Sequence, residues 1–285
     1  MSGKVHIVTD STCDLPRELV ERHHITVVPL RVHFGEEVYR EGVEITASQF
    51  YEKLARSSVL PRTSQPAPGD FVEAYRKVGG DGGPILSLHI SSHMSGTCQS
   101  ALMAAEMLPE SKIKVIDTEG VSMLLGLLVL RAARLAEEGR DWEEIAALIE
   151  RESKEDTRSF FVVDTLEYLE KNGRIGRAQA FLGTVFNFKP VLGVRDGLVT
   201  GIERVRGKSK AVERMLELFR ESIPPGRRLW ISALHGGAPE EGRQLVERVR
   251  REFTYEELIP AEIGPVVGCH AGPGVLAVLA LALSE

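Results

Sequence analysis

Small polar residues that could bind a ligand follow several predicted β-strands of this chain. They lie in the segments "TDSTCDLP" (9–16), "RTSQPAPGD" (62–70), "SSHMSGT" (91–97) and "GCHAGPG" (268–274). Ligands of open α/β sheets bind at the carboxyl ends of the strands, so we expect these segments to lie near a ligand. Helix capping in the first segment, and a turn held by Ser64 in the second, explain the same polar residues equally well.

The third segment could present either a nucleophile or a set of hydrogen-bond donors. It resembles the G-x-S-x-G elbow of hydrolases around Ser95, but His93 and Thr97 occupy the two positions that need glycine. Ser92, Ser95 and the backbone N–H groups that follow them can instead form a donor cluster at a helix start, which suits a carboxylate or phosphate. A serine hydrolase or acyltransferase with Ser95 as nucleophile and His270 as base is the alternative.

The fourth segment and two arginines add further candidate ligand contacts. Three glycines surround His270, so the backbone can approach a ligand closely while the imidazole offers a titratable donor. Arg174, and Arg177 after it, follow a predicted helix end, where an inward-facing arginine would need an acidic partner such as a bound carboxylate. His23 and His24 are adjacent and face different directions on a helix, so we expect neither a metal site nor a cofactor.

The basic segment "VRGKSKA" (205–211) ends like the phosphate loop of nucleotide-binding proteins. That loop needs a glycine where Ile202 stands, so the segment does not predict a nucleotide site, and a self-contained kinase is disfavoured. Arg206 and Lys208 belong to a local cluster of positive charge in an acidic chain. They are candidates for docking a protein partner, and a solvated surface is the alternative.

The composition is that of an ordinary globular protein. The chain has 285 residues, a formal charge of -6 and 43% hydrophobic residues, which argues against nucleic acid as a partner. Three cysteines without CxxC spacing predict neither a disulfide framework nor a zinc site. The most apolar stretch, "GVLAVLALAL", is too short to cross a bilayer, so we expect no membrane insertion and a cytoplasmic location.

Short β-rich runs alternate with longer amphipathic runs, and this pattern predicts an α/β fold with mainly parallel sheets. The polar helix that ends near residue 156 precedes a new βα series, so we expect two α/β domains, at 1–156 and 157–285. "VRDGLVTG" predicts a hairpin, because Asp-Gly suits a tight turn. The predicted strands are "VHIVTD", "TVVPLRV", "PILSLHI", "KIKVID", "SFFVVD", "RLWISAL" and "VLAVLALAL". The predicted helices span 46–55, 69–77, 95–107, 121–138, 142–152, 209–221 and 240–251.

Eight segments, in the same order and across nearly the whole chain, resemble the DegV family. The segments are "VTDSTCDLP", "RTSQPAPGDF", "HISSHMSGTCQSA", "IDTEGVSMLLGLLV", "LEYLEKNGRIG", "KPVLGVRDGLV", "VRGKSKA" and "IGPVVGCHAGPG". The resemblance implies two α/β domains with a long-chain fatty acid held between and within them. It also implies a fatty-acid-binding subunit, which acts with a separate ATP-dependent subunit as a bacterial fatty acid kinase.

Carried over to this sequence, the family's contacts to the fatty-acid carboxylate fall on Thr63, Ser95, Arg174 and His270. His93 replaces a glycine that the family usually has beside this site. Further candidates for ligand contact are Ser64, Ser92 and His93. Two apolar segments, "VSMLLGLLVL" (121–130) and "AFLGTVFNF" (180–188), could line a tunnel for the acyl chain, and ordinary core packing explains them equally well.

Overall fold

The computed structural model describes residues 4–183 and 188–284, which form three β-sheets and the helices around them. The described strands are β1 (His6–Asp10), β2 (Thr26–Val28), β3 (Arg31–Phe34), β4 (Glu37–Arg40), β5 (Arg62–Ser64), β6 (Ile85–His89), β7 (Ile113–Asp117), β8 (Thr157–Val162), β9 (Phe188–Arg195), β10 (Leu198–Arg206), β11 (Arg228–His235), β12 (Glu257–Glu262) and β13 (Leu276–Leu283). The α/β fold class is therefore confirmed.

The helices in the described ranges pack on the faces of the sheets. They are α1 (Arg17–Arg22), α2 (Ala47–Arg56), α3 (Pro68–Val78), α4 (Thr97–Glu106), α5 (Met123–Glu137), α6 (Trp142–Glu155), α7 (Glu167–Lys171), α8 (Lys208–Ser222), α9 (Pro239–Glu252) and α10 (Pro265–Ala271). None of these helices is long and apolar enough to cross a membrane.

The first sheet has four strands in the order β2-β1-β6-β7, and all of its pairings are parallel. Strand β6, one of its two central strands, is buried throughout, as expected for a parallel strand covered on both faces. Phe71 and Tyr75 of α3 and Ala101 of α4 pack in one core cluster with Val8 and Ile85 of the sheet. The sequence-based prediction of a parallel sheet is confirmed here.

The second sheet has six strands in the order β10-β9-β8-β13-β11-β12, and it differs from the prediction. Its pairings are antiparallel except that of β11 with β12, so the expectation of mainly parallel sheets is wrong for this half. A buried strand has a continuous apolar sequence whether its neighbours are parallel or antiparallel. The sequence therefore did not reveal the antiparallel pairing of this sheet. Helices α8 and α9 contribute Phe219 and Leu245 to the core on one face of this sheet.

The predicted hairpin is confirmed as β9 and β10. Its turn consists of Asp196 and Gly197, whose φ angles are 49° and 69°. Positive φ at both central residues is the geometry of the tight turn that Asp-Gly favours. The turn therefore follows directly from the two residue types.

A third sheet, with the order β4-β3-β5, was not predicted. The single strand expected for "TVVPLRV" is wrong, because β2 ends at Val28 and β3 begins at Arg31. Pro29 lacks a backbone N–H and separates them. The edge strand β12 was also missed, since Pro260 within it argues against a strand except at a sheet edge.

Helix α5 lies between the two larger sheets. It contacts β1 and β6 of the first sheet and β8 and β13 of the second. Its residues from Met123 to Leu130 are all buried, as an all-round apolar helix requires. Gly126 allows α5 to approach the turn at Ser11–Cys13 closely, because a Cβ there would lie 2.5 Å from the Cys13 carbonyl oxygen.

The boundary at residue 156 falls between the strands of the two sheets, and two separate domains stay a prediction.

A buried chain of hydrogen bonds joins β1 to β6. His89 Nδ1 lies 3.0 Å from Asp10 Oδ2, His89 Nε2 lies 2.7 Å from Ser87 Oγ, and the Tyr75 hydroxyl donates to Ser87 Oγ at 2.9 Å. The Ile90 N–H also donates to Asp10 Oδ2 at 3.0 Å, so the network reaches the segment that leads to Ser95. Asp10, Ser87 and His89 have no exposed surface, which assigns this Asp-His-Ser series a structural role.

His89→Ala is predicted to lower the free energy of unfolding by about 3 kcal/mol, because it removes one hydrogen bond from the buried Asp10 carboxyl group and one from the buried Ser87 hydroxyl group and opens a cavity. Urea denaturation measures the change. His93→Ala, at an exposed histidine in the following loop, is the control and should change stability by less than about 0.5 kcal/mol. A change as small as that of the control in His89→Ala would show that the network contributes nothing to stability.

Candidate functional site

A cavity of about 350 Å³ lies between the first and second sheets. Both halves of the chain contribute to its wall, which is apolar over most of its extent. The first half contributes Leu30, Ile90 and Leu124, and the second half contributes Phe161, Val194 and Leu279. A cavity of this size and character is typical of a small-molecule site.

One end of the cavity is polar, and it gathers the residues that sequence reasoning singled out. Thr63, Ser64, Ser95, Arg174 and His270 all line it. They come from β5, from the loop before α4, from the turn after α7 and from α10. Segments separated by more than 200 residues along the chain thus meet at one place.

Thr63 and His270 are in direct contact. Thr63 Oγ1 lies 2.9 Å from His270 Nε2, and the direction of this hydrogen bond depends on the imidazole tautomer. His270 Nδ1 is buried and has no hydrogen-bond partner among the described residues. The imidazole therefore retains unused hydrogen-bonding capacity at the polar end of the cavity.

The environment keeps His270 uncharged at neutral pH. Burial, and then the positive charge of Arg174, lower the pKa of His270 to about 4. The Arg174 side chain is anchored on the neighbouring loops, since its Nε donates to the Met94 carbonyl at 3.1 Å and its Nη1 to the Asn172 carbonyl at 2.8 Å. Arg174 thus supplies a fixed positive charge at the exposed edge of the site.

The segment expected to be a ligand loop around His270 is in part a helix. His270 lies in the last turn of α10, so the expectation of a loop is wrong at this residue. A Cβ at Gly268 would lie 2.7 Å from the Tyr51 hydroxyl, so this glycine serves close packing against α2. Gly272 and Gly274, with φ angles of 78° and 81°, form the turn that leads out of the helix.

Ser95 lies just before α4 and bonds locally. Its Oγ lies 2.8 Å from Thr97 Oγ1 and accepts from the Thr97 N–H at 3.3 Å. No hydrogen bond joins Ser95 to His270 in the described part of the chain. A nucleophile paired with its base, as the hydrolase alternative requires, is therefore not formed here.

The further candidates separate into two groups. Ser64 lines the cavity, and its Oγ lies 2.8 Å from His33 Nε2. Ser92 and His93 are exposed and lie outside the cavity wall, so the structure does not bring them to the site. His93 packs instead at the β9–β10 turn, where a Cβ at Gly197 would lie 2.9 Å from its Cδ2.

Two further wall residues are Gln65, which lies in the segment 62–70 that the sequence already placed near a ligand, and Ser122, which sequence reasoning missed. Gln65 lines the polar end and donates from Nε2 to Ser100 Oγ at 3.0 Å. Ser122 has a φ of 57° and donates its hydroxyl to the Asp14 carboxylate. Asp14, which lies outside the cavity wall, is also held in the left-handed region, with a φ of 51°.

The two apolar segments proposed for a tunnel have different outcomes. Val121 and Leu124 line the cavity, and the rest of 121–130 packs in the core apart from Ser122. In the segment 180–188, residues 184–187 lie outside the described residues. Phe181 packs against the core, and the guanidinium of Arg204 lies over its ring, 4.5 Å from the ring centroid.

The docking candidates also differ from each other. Arg206 is exposed at the end of β10. Lys208 is partly buried, and its Nζ lies 3.3 Å from Asp164 Oδ2 and 3.0 Å from Glu241 Oε2. Arg206 is thus the more available charge for a partner.

In lipid-free protein, the imidazole of His270 is predicted to titrate with a midpoint near pH 4. NMR measures this titration, and comparison with the spectrum of His270→Gln identifies the His270 signals. The ordinary pKa of 6.5 applies in the unfolded chain, so the folded protein binds this proton less tightly. The stability that His270 contributes is therefore lost as the pH falls from 6.5 to 4. A midpoint near 6.5 would contradict the buried, neutral imidazole.

Comparison with known proteins identifies the family. A family model described as "Uncharacterised protein, DegV family" matches residues 4–283. Protein DegV of Bacillus subtilis is 34% identical over 274 residues, which cover 96% of this chain and 98% of that protein. The structure of a DegV family protein from Thermus thermophilus, described by its fatty acid binding, shares 41% identity with a TM-score of 0.92, covering 99% of this chain and 100% of that chain. A stearic-acid-binding protein from Eubacterium ventriosum shares 28% identity with a TM-score of 0.90, covering 98% of each chain. The chain belongs to the DegV family.

Proposed function

We propose that this protein binds a long-chain fatty acid, with the acyl chain in the apolar part of the cavity and the carboxylate at its polar end. The observation that carries the proposal is the cavity itself, which is apolar along its wall and polar at one end. A fatty acid has the same division along its length. The fatty acid binding described for the Thermus relative, which shares 41% identity, supports the same ligand here.

The acyl chain supplies most of the affinity in this proposal. Burying about fourteen methylenes of a sixteen-carbon chain at about 0.8 kcal/mol each gives a gross gain of roughly 11 kcal/mol. Association and ordering costs reduce this gain. The apolar wall residues contributed by both halves of the chain are the groups that make such burial feasible.

The polar end determines how the carboxylate is held. The hydroxyl groups of Thr63 and Ser95 can donate to it, and neutral His270 can donate through one ring nitrogen. Arg174 provides the compensating positive charge at the exposed edge. Because the two hydroxyl groups and the imidazole are neutral, they bind the carboxylate without adding further buried charges to the site.

We further propose that the bound carboxylate is presented to a separate ATP-dependent kinase subunit in the cytoplasm, which forms the acyl-phosphate. The polar end opens at Arg174, an exposed residue, so the reacting oxygen would lie near the surface. The exposed Arg206 would contact the kinase subunit. Paired Lys208 would support the start of α8 rather than bind the partner.

The combination of Thr63→Ala and Ser95→Ala is predicted to lower acyl-phosphate formation at least about tenfold in a reconstituted kinase assay, because two hydrogen bonds to a charged group are lost. Lipid retention, measured by native mass spectrometry, should fall less than about threefold, because the acyl-chain contacts remain. Ser111→Ala, at an exposed serine away from the cavity, is the control. Wild-type activity in the double variant would refute the head-group assignment.

Arg206→Glu is predicted to weaken the coupling to the kinase subunit by about tenfold at low salt and less at high salt, because docking through an exposed charge is screened. Fatty acid binding in the absence of the kinase should be unchanged. Arg56→Glu makes the same charge change at an exposed site on α2 and is the matched control. If both variants couple like the wild type, Arg206 is not part of the docking surface.

A further inference from the structure

Two carboxyl groups from the first half of the chain hold the start of α10. Asp14 Oδ1 accepts from the Gly264 N–H at 3.0 Å, and Glu41 Oε1 accepts from the Val266 N–H at 2.8 Å. A Cβ at Gly264 would lie 2.6 Å from Glu41 Oε1 and 2.8 Å from Asp14 Oδ1. The two carboxyl groups therefore crowd around the same residue at the N-terminal end of the helix.

Among the residues that the structure describes, no cation pairs with either carboxyl group. Glu41 is only 5% exposed, and its Oε2 has no hydrogen-bond partner among the described residues. The titratable groups that face the pair from the adjacent elements are acidic or neutral: Asp10, Cys13, Tyr51, Glu262 and Cys269.

Helix α10 connects this pair to the polar end of the cavity. The helix spans only Pro265–Ala271, so its first and last turns move together. Asp14 and Glu41 hold its start, and His270 in its last turn contacts Thr63 at 2.9 Å. A displacement at the start of α10 would therefore change the Thr63–His270 contact.

We propose that Asp14 and Glu41 are positioning residues that share one proton and hold α10 so that His270 stays against Thr63. This role rests on the proposed fatty acid binding, because it acts through the head-group site. With one proton between them, one carboxyl group is neutral and the other charged, which two adjacent buried carboxyl groups favour. The single negative charge also lies at the N-terminal end of a helix, where it is favourable.

The shared proton predicts a response to alkaline pH. Burial raises the pKa of Asp14 to about 7 and that of Glu41 to about 8. The charge of Asp14 further raises the pKa of Glu41, and the charges of Asp10 and Glu262 further raise that of Asp14. The folded protein thus binds protons that the unfolded chain has released. The associated stability is fully present below the ordinary pKa values of 3.8 and 4.5 and is lost as the pH rises from there to about 8. Repulsion between two ionised carboxyl groups would then displace the start of α10.

Glu41→Gln separates this role from simple packing. The amide has the shape of a protonated carboxyl group, its oxygen can still accept from the Val266 N–H, and its NH₂ can donate to Asp14. The experiment measures palmitate binding from pH 6 to pH 10 in the wild type and the variant. Wild-type affinity is expected to fall about tenfold between pH 7 and pH 10, which corresponds to a one-unit pKa difference between lipid-bound and lipid-free protein. The variant is expected to change by less than about twofold.

Two controls make the result decisive. Glu44→Gln is the same substitution at a nearby exposed residue that bonds to Arg40, and it should keep the wild-type pH profile. If Glu41→Gln does not fold, Asp14→Asn provides the second test with the same expected flat profile. Superimposable profiles of the wild type and either folded variant would overturn the shared-proton role.

The outcome also distinguishes this role from the proposed function. Wild-type protein that binds no palmitate at pH 7 would overturn both. Wild-type protein that binds palmitate at pH 7 with the same pH profile as Glu41→Gln would overturn the positioning role and leave fatty acid binding intact.

Discussion

The burial of one helix between two sheets determines most of this structure. The first two turns of helix α5, residues 123–130, are apolar on every face, so this part of the helix is stable only where both sides are covered. The first sheet covers one side and the second sheet the other. The two sheets are held apart by the width of this helix, and the cavity lies beside its first turn, where Val121 and Leu124 form part of the wall. The space for a ligand is thus a consequence of how the two halves pack.

Apart from Arg174 at its exposed edge, the polar end of the cavity is built from neutral groups whose positions must be held by other contacts. Thr63 belongs to β5 of the third sheet, and His270 belongs to α10. Their contact therefore depends on the position of α10. Buried polar groups of this kind are stable only when their partners are fixed. Asp14 and Glu41 hold the start of α10, and the network through His89 and Asp10 holds the segment before Ser95. The site is therefore supported by polar contacts well outside the cavity wall.

The sequence predicted those features that depend on local residue types. The β9–β10 turn follows from Asp196 and Gly197. The gathering of Thr63, Ser95 and His270 was expected from the resemblance to the DegV family, in segments whose polar residues already indicated a ligand. The antiparallel order of the second sheet could not be predicted, because an apolar run such as β13 has the same pattern in either orientation. The pairing of Asp14 with α10 joins residues 250 positions apart, and no local pattern reports such a contact.

The most direct test of fatty acid binding is native mass spectrometry of the purified protein, followed by denaturation of the same sample. The account predicts an added mass of fatty-acid size under native conditions, and loss of that mass on denaturation, because the ligand is held by burial and hydrogen bonds. Protein that carries no such mass and takes up none when palmitate is added would contradict the account. A mass that survives denaturation would also contradict it, because a covalent adduct would point to Ser95 as a nucleophile.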